Sequence, residues 1–125
     1  MRGKGMCPFF YAAQTLLFFK EEVHMKKENE FQANLKKELA RLFPGCIVSK
    51  LDPNDIQGIP DLLVLYENKW ATLECKKSAE DAEKPRPNQP YYVKRMNAMS
   101  FSRFIYPENK EEVLNELQQT FSSGR

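Results

Sequence analysis

A single histidine, His24, is all that the 125 residues contain of that type. That excludes a His-rich zinc site, and it excludes a Ser-His-Asp triad unless His24 serves as its base. Cysteine is scarce and odd in number. Cys7, Cys46 and Cys75 form no Cys-x-x-Cys pair and leave one thiol over under any pairing. This argues against a secreted disulfide framework and points to a reducing, cytoplasmic interior. Charge of one sign is also missing, since 19 Lys and Arg face 17 Asp and Glu for a net charge of +2. A polybasic polyanion binder is thereby excluded, and any nucleic-acid affinity must come from a local patch. No long apolar run is present either. The stretch from Pro8 to Phe19 is broken by Gln14 and Thr15 and falls short of the roughly 20 residues of a membrane span, so no membrane partner is expected. What remains, 42% hydrophobic and 29% charged, suits one globular domain and is too short for two.

Residues 1–24 resemble a secretory signal only superficially. They have a basic start at Arg2 and Lys4, but no small-residue cleavage box precedes the charged Lys20-Glu21-Glu22. Lys20-Glu21-Glu22-Val23 can be encoded by a purine run containing AAGGAGG, a bacterial ribosome-binding sequence, just upstream of Met25. Met25 is therefore the expected start, with 1–24 a leader or disordered extension and 25–125 the single domain; the alternatives for 1–24 are a real amphipathic extension and a signal peptide. His24 then carries no functional claim.

From Lys26 the pattern turns helical, with Phe31, Leu35, Leu39 and Leu42 at spacings of three and four, until Pro44-Gly45 stops it. Cys46–Ser49 is a short β-prone run, and the two turn-rich segments around Pro53 and Gly58 form a loop. Asp61–Tyr66 and Trp70–Lys76 read as a β-hairpin whose first strand, nearly all apolar, is buried on both faces. Lys77–Pro90 is polar, holds Pro85, Pro87 and Pro90, and reads as a loop ending at a helix with Asn88 as its N-cap. Tyr91–Met99 continues that helix, Phe101–Tyr106 is a further strand, and Pro107–Asn109 opens a last helix with Val113, Leu114, Leu117 and Phe121 on one side. The order is α-β-β-β-α-β-α, an α/β fold.

Side chains alternate along a strand, so Glu74 and Lys76 share one face while Cys75 takes the other. A tight connection through Glu67 to Lys69 pairs early residues of the first strand with late residues of the second and sets Asp61 beside Glu74. Two buried carboxylates at about 4 Å repel by several kcal/mol, and a hard divalent cation relieves that repulsion. Mg²⁺ takes oxygen ligands and keeps positions for water and phosphate, and the Cys75 backbone carbonyl can supply one more ligand. Lys76, beside a bound phosphate, can stabilise developing negative charge or orient the attacking water. The chemistry is metal-assisted phosphodiester hydrolysis. The plainer alternative is that Asp61 caps a turn while Glu74 and Lys76 form a solvated pair at a strand end.

The segments EFQANLKKEL, QGIPDLLVL, LECKK, RPNQPYYVKRM and FIYPENKEEVL together resemble the PD-(D/E)XK nuclease superfamily. The resemblance is to its small VRR-NUC and Holliday-junction-resolvase-like members from phages and prophages, and it runs from Glu30 to about Phe121. It implies a restriction-endonuclease-like mixed-sheet core using Mg²⁺, with Mn²⁺ as substitute, in a bacterial or phage-infected cell. It also implies the site: Asp61 and Glu74 on the metal, Lys76 beside it, Gln89 opening the next helix, and Glu30 from the first helix as a further acid, with Glu28 the weaker candidate. Read without the resemblance, Glu30 is an ordinary first-turn helix residue and Gln89 a helix-capping one.

Between Lys76 and Arg103 the basic residues Lys76, Lys77, Lys84, Arg86, Lys94, Arg95 and Arg103 outnumber Glu80, Asp81 and Glu83, an excess that the whole-chain balance conceals. Lys77, Lys84, Arg86, Lys94, Arg95 and Tyr91 are the expected nucleic-acid contacts, through phosphates and stacking rather than base reading. The function expected is a metal-dependent endonuclease acting on DNA, with branched junctions among its candidate substrates. Symmetric junction cutting would call for a homodimer. The rivals are a non-catalytic nucleic-acid-binding module on the same scaffold and a protein-interaction domain using the acidic last helix.

Overall fold

The computed structural model describes residues 8–123. Eight elements follow one another: α1 (Pro8–Leu42), β1 (Ile47–Lys50), β2 (Leu62–Tyr66), β3 (Lys69–Cys75), α2 (Ala79–Ala82), α3 (Gln89–Met99), β4 (Phe101–Ile105) and α4 (Lys110–Ser122). The strands form one mixed sheet in the order β1-β2-β3-β4, with β1–β2 and β2–β3 paired antiparallel and β4 parallel to β3. The chain is thus of mixed α/β class. Parallel pairing demands a long crossover, and residues 76–100, carrying α2 and α3, provide it.

Two expectations are corrected at the level of elements. Helix α1 does not begin near Lys26 but extends back to Pro8. Neither glycine nor proline interrupts the chain from Phe9 to Phe43, which leaves no breaker to stop the helix. The segment after β3 is not all loop. Ser78 caps the single-turn α2, its Oγ accepting from the Asp81 amide at 3.1 Å.

Alternation along β3 divides the molecule into three layers. Ala71, Leu73 and Cys75 point to one face, together with Leu62 and Val64 of β2 and Phe101 and Ile105 of β4. Against them pack Leu35 and Leu39 of α1 and Val113, Leu114, Leu117 and Phe121 of α4 to make the core. A Glu38–Lys110 ion pair at 2.8 Å ties α1 to α4. On the opposite face lies α3: Thr72 donates to Ser102 Oγ at 2.8 Å and touches Met96 of α3, and Asn97 of α3 accepts from the Ser102 amide at 3.1 Å.

Burial follows strand position rather than apolar content. β2 is covered on one face only, since Leu62 and Val64 are fully buried while Leu65 is 40% exposed, which corrects the expectation that it is buried on both. It is β3, flanked by β2 and β4 with helices above and below, that is buried on both faces from Ala71 to Cys75. Cys46 and Cys75 are free thiols, and Cys7 lies outside the described residues. No helix among the described residues is long and apolar enough to cross a membrane.

Candidate metal and nucleic-acid site

The β2–β3 hairpin pairs Tyr66 with Lys69 across a two-residue turn, with Glu67 in the left-handed region at φ 57°, and Leu62 with Leu73. One step further along that register, Asp61 faces Glu74. The Asp61 side chain is fixed there because its Oδ2 accepts from the Cys75 amide at 2.9 Å, while its carbonyl accepts from the Leu51 amide at 2.9 Å. Glu74 and Lys76 leave β3 on the α3 side, and Cys75 turns its thiol into the core, where burial pushes its pKa up.

Gln89, the first residue of α3, stands over this strand end and uses its whole amide. Its Nε2 donates to Glu74 Oε2 at 2.9 Å, and its Oε1 accepts from Lys76 Nζ at 2.9 Å and from the Arg86 amide at 2.8 Å. Asn88 occupies the N-cap position with a left-handed backbone at φ 74° and no side-chain cap bond. The cap expected of its side chain is therefore absent. Pro90 falls in the first turn, where its missing amide hydrogen leaves no partner unsatisfied.

Glu74 and Lys76 are 3% and 5% exposed, so an acid and an amine sit in a nearly dry place. Burial, and after it the negative charge of Asp61, outweigh the nearby Lys76 ammonium and push the Glu74 carboxyl up to about 9. Among the described residues its Oε1 meets no donor, and the protonated acid can hydrogen-bond to Asp61. A buried acceptor in that condition is costly, and a cation or a proton would satisfy it.

These groups line a cavity of about 130 Å³ together with Glu28, Asp81, Lys84 and Arg86. Five expected site residues thus meet: Asp61, Glu74, Lys76, Gln89 and Cys75, the last as a lining residue whose carbonyl was the expected ligand. Glu30 does not join them. It lines a separate groove along α1 with Phe19, Val23 and Lys26, and the acid that α1 brings to the cavity is Glu28. Residues two apart on a helix point about 200° apart, so only one of the pair can face the sheet end.

Of the expected nucleic-acid contacts, Lys84 and Arg86 line the cavity, while Lys77, Lys94, Arg95 and Tyr91 do not. Tyr91 and Arg95 lie exposed on α3, joined by a 3.0 Å bond from the guanidinium to the phenol oxygen. Asp81 is a lining residue that the sequence reading passed over, although Ser78-x-x-Asp81 is a helix-start pattern that would have placed it on a turn of helix beside the strand end.

Among the described residues, no three His, Cys, Asp or Glu side chains form a ready metal-ligating group. The chemistry of the lining still fits a hard divalent cation: carboxylates from Asp61, Glu74 and Glu28 in one cavity, a buried Glu74 oxygen that meets no donor, and no thiol or imidazole among the facing side chains. Compared with known proteins, the chain matches no family model, no curated protein and no solved structure.

Proposed function

We propose that this protein is a metal-dependent endonuclease that hydrolyses DNA phosphodiester bonds on a restriction-endonuclease-like core of the PD-(D/E)XK kind. The observation that carries the reading is one cavity holding Asp61, Glu74, Lys76 and Gln89, with a buried Glu74 oxygen that meets no donor. Asp61 and Glu74 would hold Mg²⁺ or Mn²⁺, with Glu28 taking the assisting role assigned from sequence to Glu30. The bound cation supplies Lewis-acid charge at the scissile phosphate.

The remaining roles belong to the chain's own groups. Lys76 is held at Gln89 Oε1, where its ammonium can stabilise charge developing on a phosphate oxygen. Gln89 keeps Glu74 Oε2 and Lys76 Nζ at a fixed separation. Lys84 and Arg86 neutralise phosphates at the mouth of the cavity and make binding fall steeply with salt. The lining is charged and polar and offers no aromatic face for a base, in keeping with recognition of backbone and shape. Branched DNA and a homodimeric assembly belong to this proposal through the family resemblance.

The test is incubation of the full chain with branched, flapped and linear DNA in Mg²⁺, in Mn²⁺ and in EDTA, with Glu74→Gln as control. Cleavage of at least one substrate with metal, and none with EDTA or in the variant, is expected. Cleavage that survives EDTA or the substitution overturns the proposal, and DNA binding without cleavage assigns the protein to the non-catalytic class.

A further inference from the structure

Gln89 is placed by a contact from the turn that leads into Asp61. Gly58 approaches the residue before Gln89 so closely that a β-carbon on it would lie 2.5 Å from Asn88 Cβ, 2.8 Å from Asn88 C and 3.1 Å from Asn88 O. Both partners adopt the left-handed region, Gly58 at φ 93° and Asn88 at φ 74°. For a non-glycine residue that conformation is strained and persists only where its surroundings enforce it. Asn88 gains no side-chain cap in return. What the conformation achieves is to start α3 at Gln89 with the amide delivered to Glu74, Lys76 and the Arg86 backbone at once.

We propose that Gly58 and Asn88 form a clasp that sets Gln89, which makes Gly58 a positioning residue for the carboxylate and lysine of β3. The clasp joins the turn before Asp61 to the helix that serves Glu74 and Lys76, so the two halves of the site keep one spacing. Two of the three atoms that a β-carbon at 58 would meet are backbone atoms, so relief requires the start of α3 itself to move. Hydrogen bonds of 2.8–2.9 Å do not follow such a shift together, because one amide cannot track two side chains at the end of β3 and a backbone amide in the loop before α3. The kinetic consequence rests on the endonuclease proposal, whereas the structural consequence does not.

Gly45 supplies a matched control. At φ 88° it is strained by a side chain as Gly58 is, yet a β-carbon there meets nothing within 4 Å. The experiment compares Gly58→Ala, Gly45→Ala and Asn88→Gly by thermal stability, by NMR exchange of the Gln89 side-chain amide hydrogens, and by kcat and KM for DNA cleavage. Gly58→Ala is expected to speed the Gln89 exchange and lower kcat, each about tenfold or more, with KM within about twofold, as a misplaced group near the reacting atoms does. Gly45→Ala should lose only the stability that the left-handed strain costs and change neither readout.

Asn88→Gly decides the matter if Gly58→Ala fails to fold. It relieves the left-handed strain, so stability holds or rises, while the lost β-carbon loosens the clasp and Gln89 exchanges faster. Gln89 exchange unchanged in both clasp variants, or altered equally in Gly45→Ala, overturns the inference. Absence of any cleavage by the unsubstituted protein defeats the endonuclease proposal alone, and Gln89 exchange still judges the clasp.

Discussion

The two faces of β3 differ by a single step along the chain and by everything in their chemistry. Ala71, Leu73 and Cys75 meet α1 and α4 in an apolar core, whereas Thr72 touches Met96 of α3, and Glu74 and Lys76 are hydrogen-bonded to Gln89 at its start. One face gains stability from apolar area removed from water. The other gives some of it up, because burial beside Asp61 disfavours the charged form of the Glu74 carboxyl, a cost that a structural strand end has no reason to carry. Departures from local consistency of this kind concentrate where a protein works.

The sharpest way to break that comparison is to exchange what each face loses. Leu73→Ala, on a fully buried side chain, should cost about 2–5 kcal/mol of unfolding free energy by denaturant titration. Any loss of cleavage should then track the unfolded fraction. Asp61→Asn should do the reverse, lowering metal-dependent cleavage at least about 100-fold while the melting temperature stays near that of the parent, since an amide oxygen can still accept from the Cys75 amide. Equal stability losses in the two variants would erase the distinction between the faces.

A smaller effect tests the penalty itself. Glu74 titrates near 9 in the folded chain against 4.5 when unfolded, so between those values the folded state keeps a proton that the unfolded state has released. The contribution is complete below 4.5 and is lost as pH rises toward 9, with a slope on the order of 1 kcal/mol per pH unit in metal-free protein. Glu74→Gln should flatten that slope and raise the melting temperature at pH 8. Smaller again is the contrast within α1: Glu28→Gln should slow cleavage about tenfold and Glu30→Gln by less than about twofold, because only Glu28 reaches the cavity. The opposite ranking would return the assisting role to Glu30.

Much of the site was legible because it depends on a period of two. Once a tight turn at Glu67-Asn68 is assumed, the register that opposes Asp61 to Glu74 and sends Cys75 inward follows by counting. What sequence hid depends on the third dimension. The apolar run in β2 invited burial on both faces, but run length does not tell which strand is central, and that place belongs to β3. Glu28 and Glu30 are equivalent to a helical pattern until the helix is docked. Asn88 read as a side-chain cap because asparagine favours that position, while its real use is a left-handed backbone against Gly58, a contact between segments 30 residues apart. The apolar spacing that marks α1 begins only near Phe31, whereas the helix itself runs from Pro8 to Leu42 because no breaker follows its first residue.

The central claim is that the Asp61 and Glu74 carboxylates hold a divalent cation in place of the Glu74 proton. Calorimetric titration of the full chain with Mn²⁺ near pH 7.5 in buffers of different ionisation enthalpy measures this directly, because a ligand that must be deprotonated releases its proton on binding. The account predicts saturable binding whose heat varies with the buffer and which disappears in Asp61→Asn and Glu74→Gln. Binding that persists in both variants, or no binding at millimolar Mn²⁺ in the parent, would contradict it.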